Sequence, residues 1–372
     1  MYIKDGFNHL LDMNEPLRHH FLPVFFLKNW AGADGRLVEF SKPYGNVVKP
    51  KFVHPKATGF INRLYAIEGL PGELSYEVEK SFLSPVDSRA APAMKALLAG
   101  VRPTTAERDA WARFVMSLLM RMPAEIALLK DLVDSIDRGI SQGVGHMVLR
   151  HTPEEYHDDI VSAFIEYMQD ARHRLTNTVI KVLSSDDIVP LISAMHWDVM
   201  DLASSPHELM VSDRPVVVYK RTAIETAIAL PVGPSKLFVA ATNPVLLRRL
   251  RGADPKKTAA SINIEITAGA SRLVFGSSDR QLSFVQNRMG TNKRPSFVAD
   301  ILSDVGLDAN NLAKTIAAYE DDGLRKQILV AIAEHKSQRP ATPFEIKLST
   351  KSKTPRLLKV NAAAGKIVVV AE

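Results

Sequence analysis

The sequence predicts an α+β fold: a mainly helical N-terminal half with a short N-terminal hairpin, packed on a small mixed sheet and followed by C-terminal helices. Three observations carry this reading. Apolar residues recur at three- and four-residue spacing through the helical part, about 76–185. After residue 185 the pattern changes to short runs of Val, Ile, Phe and Leu, which places a sheet over about 207–285. Amphipathic spacing then returns in 296–304 and 309–337. Residues 1–340 read as one large domain, and 341–372 as an irregular basic segment that ends in an edge strand, "KIVVVAE".

Taken in order, "RHHFLPVFFLKNW" (18–30) gives a short helix with Pro23 in its first turn, where a missing N–H costs nothing. Gly32-Ala33-Asp34-Gly35 is a turn that leads into a strand at Arg36–Phe40. Residues 42–75 are rich in Pro and Gly and read as irregular, with a short strand near Leu64–Ile67. Helices follow at Tyr76–Phe82 and from Ala90 to Gly100. Thr104 and Glu107 have the spacing of a capping box, and the helix it opens carries Trp111, Phe114, Val115, Leu118, Leu119 and Met122 on one face. Pro123 interrupts that helix. "RGISQGVGH" (138–146) is a loop or a weak extension of the preceding helix, and a second capping box at Thr152–Glu155 opens a helix to about Leu183. "HELMVSDRPVVVYK" (207–220) reads as two strands about a turn, and "AIETAIALPV" and "SKLFVAAT" as two more. Asn243-Pro244 and Asp254-Pro255 start helices, and Arg272–Phe275 returns to the sheet.

Composition bounds the function. The 372 residues are 46% apolar and 24% charged, the balance of an ordinary globular chain. There is no cysteine, which excludes disulfides, thiolate metal sites and a cysteine nucleophile. No apolar run approaches a membrane span, and the first 16 residues lack a signal-peptide core, so no membrane partner and a cytoplasmic location are expected. The net charge of +6 permits an anionic ligand or nucleic acid as partner. It does not demand one, since 41 acidic residues are interspersed among 47 basic ones.

The phosphate-loop, zinc-protease and nucleophile-elbow signatures are missing. Four polar residues in apolar surroundings remain. His20 is a candidate acid, base or metal ligand, or else a helix-start residue satisfying a carbonyl; His19 is expected to be the more exposed neighbour. Arg121 closes an apolar half-helix as an anion holder or a salt-bridged structural residue. Asp213, in a segment that interrupts a run of Val and Leu, is a base, a metal ligand or a turn-former. Asn263 falls on the inner side of a small-residue helix, where its amide needs partners.

"HHFLPVFFLKNWAGADGRLVEFSK" resembles the opening of the family catalogued as domain of unknown function 4238, through His20, Pro23, Phe26, Leu27 and Trp30. "FVMSLLMRMP" is similar to its arginine-x-proline helix through Arg121 and Pro123, and "HWDVMDLASSPHELMVSDRPVVVY" to its tryptophan and serine-aspartate-x-proline segment through Trp197, Ser212, Asp213 and Pro215. "LPVGPSKLFVAA" and "SINIEITAGASRLVF" extend the likeness to about residue 285, the latter through Asn263 and Ala270. The resemblance implies that His20, Arg121, Asp213 and Asn263 belong to one site, without naming a reaction.

Two functions follow as expectations. In one, a hydrolase acts on a phosphodiester-type anion, with His20 as acid/base oriented by Asp213, Arg121 holding the anion and Asn263 fixing an oxygen. In the other, the same residues bind an anion or nucleic acid without turnover, or form a buried polar network. The sequence names no cofactor and leaves metal requirement and oligomeric state open.

Overall fold

A computed structural model describes residues 18–65, 83–140, 188–222, 225–292, 294, 296–304, 344–348, 356–361 and 366–371. The expected helices at Tyr76–Phe82, Thr152–Leu183 and 309–337 lie outside the described residues. The chain forms two compact units, residues 1–127 with 180–298 and residues 128–179 with 299–372.

The first unit opens with β1 (Arg18–His20), α1 (Val24–Leu27) and a 3-10 turn, Lys28–Trp30. Pro23 caps α1, so its fixed φ sets the chain direction where no N–H is needed. β2 (Leu37–Tyr44) and β3 (Val47–Val53) form a hairpin, and β4 (Phe60–Asn62) pairs back with β1. β3 and β4 lie in the stretch read as irregular. Pro50 argues against a strand in the sequence, but β3 is at a sheet edge, where a missing donor is tolerated.

Next come α2 (Ser84–Leu98), α3 (Thr105–Met120) and the start of α4 (Pro123–Ile140), which passes into the second unit at Leu128. α2 starts earlier than Ala90 because Pro85 occupies its first turn, which the apolar spacing alone does not reveal. Both halves of the Thr104–Glu107 capping box are formed, and Pro123 ends α3 at Arg121 and begins α4.

The rest of the unit is α5 (Val189–Ala194), β5 (His196–Asp201), β6 (Val211–Ser212), β7 (Val217–Thr222), β8 (Glu225–Gly233) and β9 (Lys236–Ala241). It continues with α6 (Pro244–Arg251), α7 (Pro255–Ala268), β10 (Leu273–Gly276), α8 (Leu282–Arg288) and the start of α9 (Phe297–Asp304). Asn243 and Asp254 cap α6 and α7 as the cap-proline pairs predict.

The α+β class holds, but the single small mixed sheet does not. Two four-stranded sheets are present, ordered β3-β2-β10-β6 and β5-β9-β8-β7, and all their pairings are antiparallel. The β2–β3 and β8–β9 turns are short, and a tight hairpin permits only antiparallel pairing. β10 joins β2 and β6 rather than the 217–241 strands. One core cluster includes Phe40 and Val274 of the first sheet, Val239 of the second, and Ile262 and Ile266 of α7. Each such side chain contributes about 1.5–3 kcal/mol on burial.

In the second unit, β11 (Phe344–Leu348), β12 (Arg356–Asn361) and β13 (Lys366–Ala371) form an antiparallel meander. The expected edge strand is β13, and strands β11 and β12 stand where an irregular segment was expected. No helix among the described residues is long and apolar enough to cross a membrane.

Candidate functional site

His20 lies on a strand, not at a helix start. Its register with Phe60 sets alternate residues on opposite faces, and this reverses the expectation for the histidine pair. His19 is 4% exposed, its ring stacks on Tyr65 at 5.1 Å, and its Nδ1 accepts the Tyr65 N–H. His20 is half-buried, with its ring 5.4 Å from Phe60. Its Nε2 is buried and has no hydrogen-bond partner among the described residues. Burial lowers the imidazole pKa, and the charges of Arg18 and then Arg121 add to the effect. Gly59 fixes the adjoining chain: its φ is +68, and its carbonyl accepts from the Phe21 and Leu22 N–H groups.

Arg121 caps α3. Steps of three and four residues along that helix align Trp111, Phe114, Leu118 and Arg121 on one face. The arginine is fully buried, and its Nη1 donates to Asp87 Oδ1 of α2 at 2.8 Å. Burial raises the Asp87 pKa and Arg121 pulls it back down. The guanidinium carbon lies 5.4 Å from the Phe114 ring centre, and Phe114 also meets Phe25 and Phe26 of α1. The aromatic run after His20 therefore seats α1 on the helix that carries Arg121. Among the described residues the buried Arg121 Nε and Nη2 have no partner, and neither does Trp111 Nε1. Nε–H and Nη2–H point the same way from one edge of the guanidinium, which is the geometry that grips two oxygens of a carboxylate or phosphate.

Asp213 has other work. Its carboxylate accepts the N–H groups of Ser271, Arg272 and Leu273, at 2.9, 2.6 and 3.2 Å, and so clamps the start of β10 to the end of β6. Burial raises its pKa, opposed by those three bonds and by Arg214. His20 is not among its partners. The orienting role expected for Asp213 has no hydrogen bond behind it, because a carboxylate that holds three backbone donors has little capacity left. Asn263 likewise accepts from the Met210 N–H and donates to the Glu208 carbonyl, at 2.9 and 2.8 Å. Trp30 donates to the Leu209 carbonyl between them at 2.8 Å. Asn263 also lines a cleft of about 410 Å³ with His207, Arg280 and Phe284. The four candidates thus separate: His20 and Arg121 share a field, while Asp213 and Asn263 pin segment 208–213.

Sequence reasoning missed Asp87, whose helix was read as starting later, and the Arg294 cradle. Arg294 donates to the carbonyls of Val216, Arg214 and Glu265. Beside it, the buried Glu125 carboxylate takes Arg214, the Ser296 hydroxyl and the Val298 N–H. Such partners are distant in sequence, and no local spacing announces them. Among the described residues no cluster of three His, Asp or Glu could hold a metal ion.

Comparison with known proteins gives one match. A family model described as Protein of unknown function (DUF4238) matches residues 18–280, a span that contains His20, Asp87, Arg121, Asp213 and Asn263. No curated protein and no solved structure matches. The matched span covers most of the chain, and the protein belongs to the DUF4238 family.

Proposed function

We propose that this protein recognises an oxyanion, a phosphate- or carboxylate-bearing ligand, through Arg121 and His20. The observation that carries the reading is the buried guanidinium with Nε–H and Nη2–H unpartnered among the described residues. A buried donor without an acceptor costs about 1–3 kcal/mol, and more on a charged group, so an acceptor at that edge recovers a large penalty. Asp87 holds the third side of the fork and fixes its orientation. His20 supplies a further buried nitrogen. An anion there offsets the field of Arg18 and Arg121 and so raises the imidazole pKa from its lowered position.

A hydrolytic version, with a phosphodiester as the anion, draws on one specific observation: burial and two arginines favour a neutral imidazole, the form a general base needs. In that version His20 accepts the proton of the attacking water and Arg121 balances charge on the phosphoryl oxygens. Asp213 and Asn263 take no direct part and hold the framework.

Thermal unfolding in inorganic phosphate, against chloride at equal ionic strength, tests the binding reading. Phosphate should raise Tm saturably in the native chain, since a ligand at ten times its Kd stabilises by about 1.4 kcal/mol. Arg121→Lys keeps the charge, loses the two-pronged edge and should abolish the shift. Equal shifts in both proteins would reject the proposal. Release of nitrophenol from bis(nitrophenyl) phosphate, lost in His20→Ala, tests the hydrolytic version.

A further inference from the structure

A second cleft, of about 360 Å³, lies between one face of the β5-β9-β8-β7 sheet and helices α6 and α7. That volume falls within the usual range for small-molecule sites. Its origin is visible in β8. Strand alternation points Ala227 and Ala229 to the same face, while Ile228 points to the other. The two small side chains leave a trough beneath α7, where a larger residue would have filled the space. Leu237, Leu250 and Ile262 complete a mostly apolar lining.

The rim has a different chemistry. Lys257 lines the cleft from the first turn of α7, and its side chain is exposed and makes no ion pair among the described residues. The nearest acidic residue in sequence, Asp254, spends its carboxylate on the α7 cap through the Lys257 N–H. An apolar trough with an exposed lysine at its lip is complementary to a molecule with an aliphatic tail and an anionic head.

We infer that this cleft binds a single-chain anionic amphiphile of the medium-chain carboxylate type, with the tail along Ala227 and Ala229 and the carboxylate at Lys257. The site shares no residue with Arg121 and His20, so it stands or falls independently of them.

The test is calorimetric titration of the full chain with decanoate, and with decanol as the uncharged equivalent, below the concentration at which either aggregates. Native protein should bind decanoate saturably and about tenfold more tightly than decanol, a difference of about 1.4 kcal/mol. Lys257→Met should remove that preference while decanol binding stays unchanged. Ser261→Phe, on the exposed side of α7 at the cleft's edge, should block both ligands; Ala253→Phe, also exposed and lining the cleft, should do the same by another route. Absence of saturable decanoate binding overturns the inference. So does equal affinity for decanoate and decanol, or full binding in both blocking variants with unchanged Tm.

Discussion

Gly269 is the position where a single methyl group should do the most damage. Its backbone, φ −82 and ψ −7, suits alanine, and at the end of α7 alanine should stabilise by up to about 1 kcal/mol on propensity alone. The surroundings reverse that sign. A Cβ built there would stand 2.0 Å from Arg294 Nε, 2.5 Å from Nη2 and 2.6 Å from Cζ. The guanidinium cannot swing away freely, because it donates to three carbonyls, those of Val216, Arg214 and Glu265. A hydrogen bond to a charged group contributes about 1.5–3 kcal/mol, so losing two of the three outweighs the propensity gain and leaves a net loss of about 2–5 kcal/mol. Urea unfolding of Gly269→Ala measures it. Arg294→Ala should be destabilising by itself, and adding Gly269→Ala to it should cost little more, since the clash is gone. A Gly269→Ala protein as stable as the native chain, or more so, would refute the reasoning.

Further outcomes follow from the same contacts. Gly59→Ala meets Leu27 Cδ1 at 2.9 Å and the Leu22 carbonyl at 3.0 Å with φ at +68, so stability should fall by about 1–3 kcal/mol and the phosphate-induced Tm shift should shrink. Asp213→Asn keeps shape but cannot accept three N–H groups; it should cost about 1–3 kcal/mol and speed amide exchange at Ser271, Arg272 and Leu273, while the NMR titration of His20 stays as in the native chain. The His20 pKa lies below its ordinary 6.5 in the fold, so the unfolded chain binds more protons in that interval. Its contribution to stability is therefore full above pH 6.5 and is lost as pH falls through the interval. His20→Gln should flatten that part of the stability–pH curve, and an unchanged slope would contradict the burial argument.

Legibility in the sequence followed the range of the interactions. The Thr104–Glu107 box, the Pro123 break and the two Asn/Asp-Pro caps are local chemistry and are present as read. β3 was hidden because Pro50 is tolerated only at an edge, and whether a strand is at an edge is a tertiary fact. Helical periodicity makes His19 the more exposed of the pair, but β4 recruits both as a strand, and His19 is the more buried. Burial of Arg121, Asp213 and Asn263 was foreseeable from their apolar settings, but their partners were not. Asp87 lies 34 residues from Arg121, and Ser271 lies 58 from Asp213; nothing in the local pattern couples such pairs. The expectation of one four-residue site joined residues that share apolar surroundings but not neighbours.

The central claim is that the free edge of the Arg121 guanidinium receives an oxyanion. The most direct measurement is the Nε–H resonance of Arg121, assigned by its loss in Arg121→Lys and followed by heteronuclear NMR as inorganic phosphate is added. The account predicts a saturable downfield shift with the same midpoint as the Tm effect, together with a rise in the His20 pKa. An Nε–H resonance that stays in place while phosphate reaches saturating concentration for the Tm effect would contradict it.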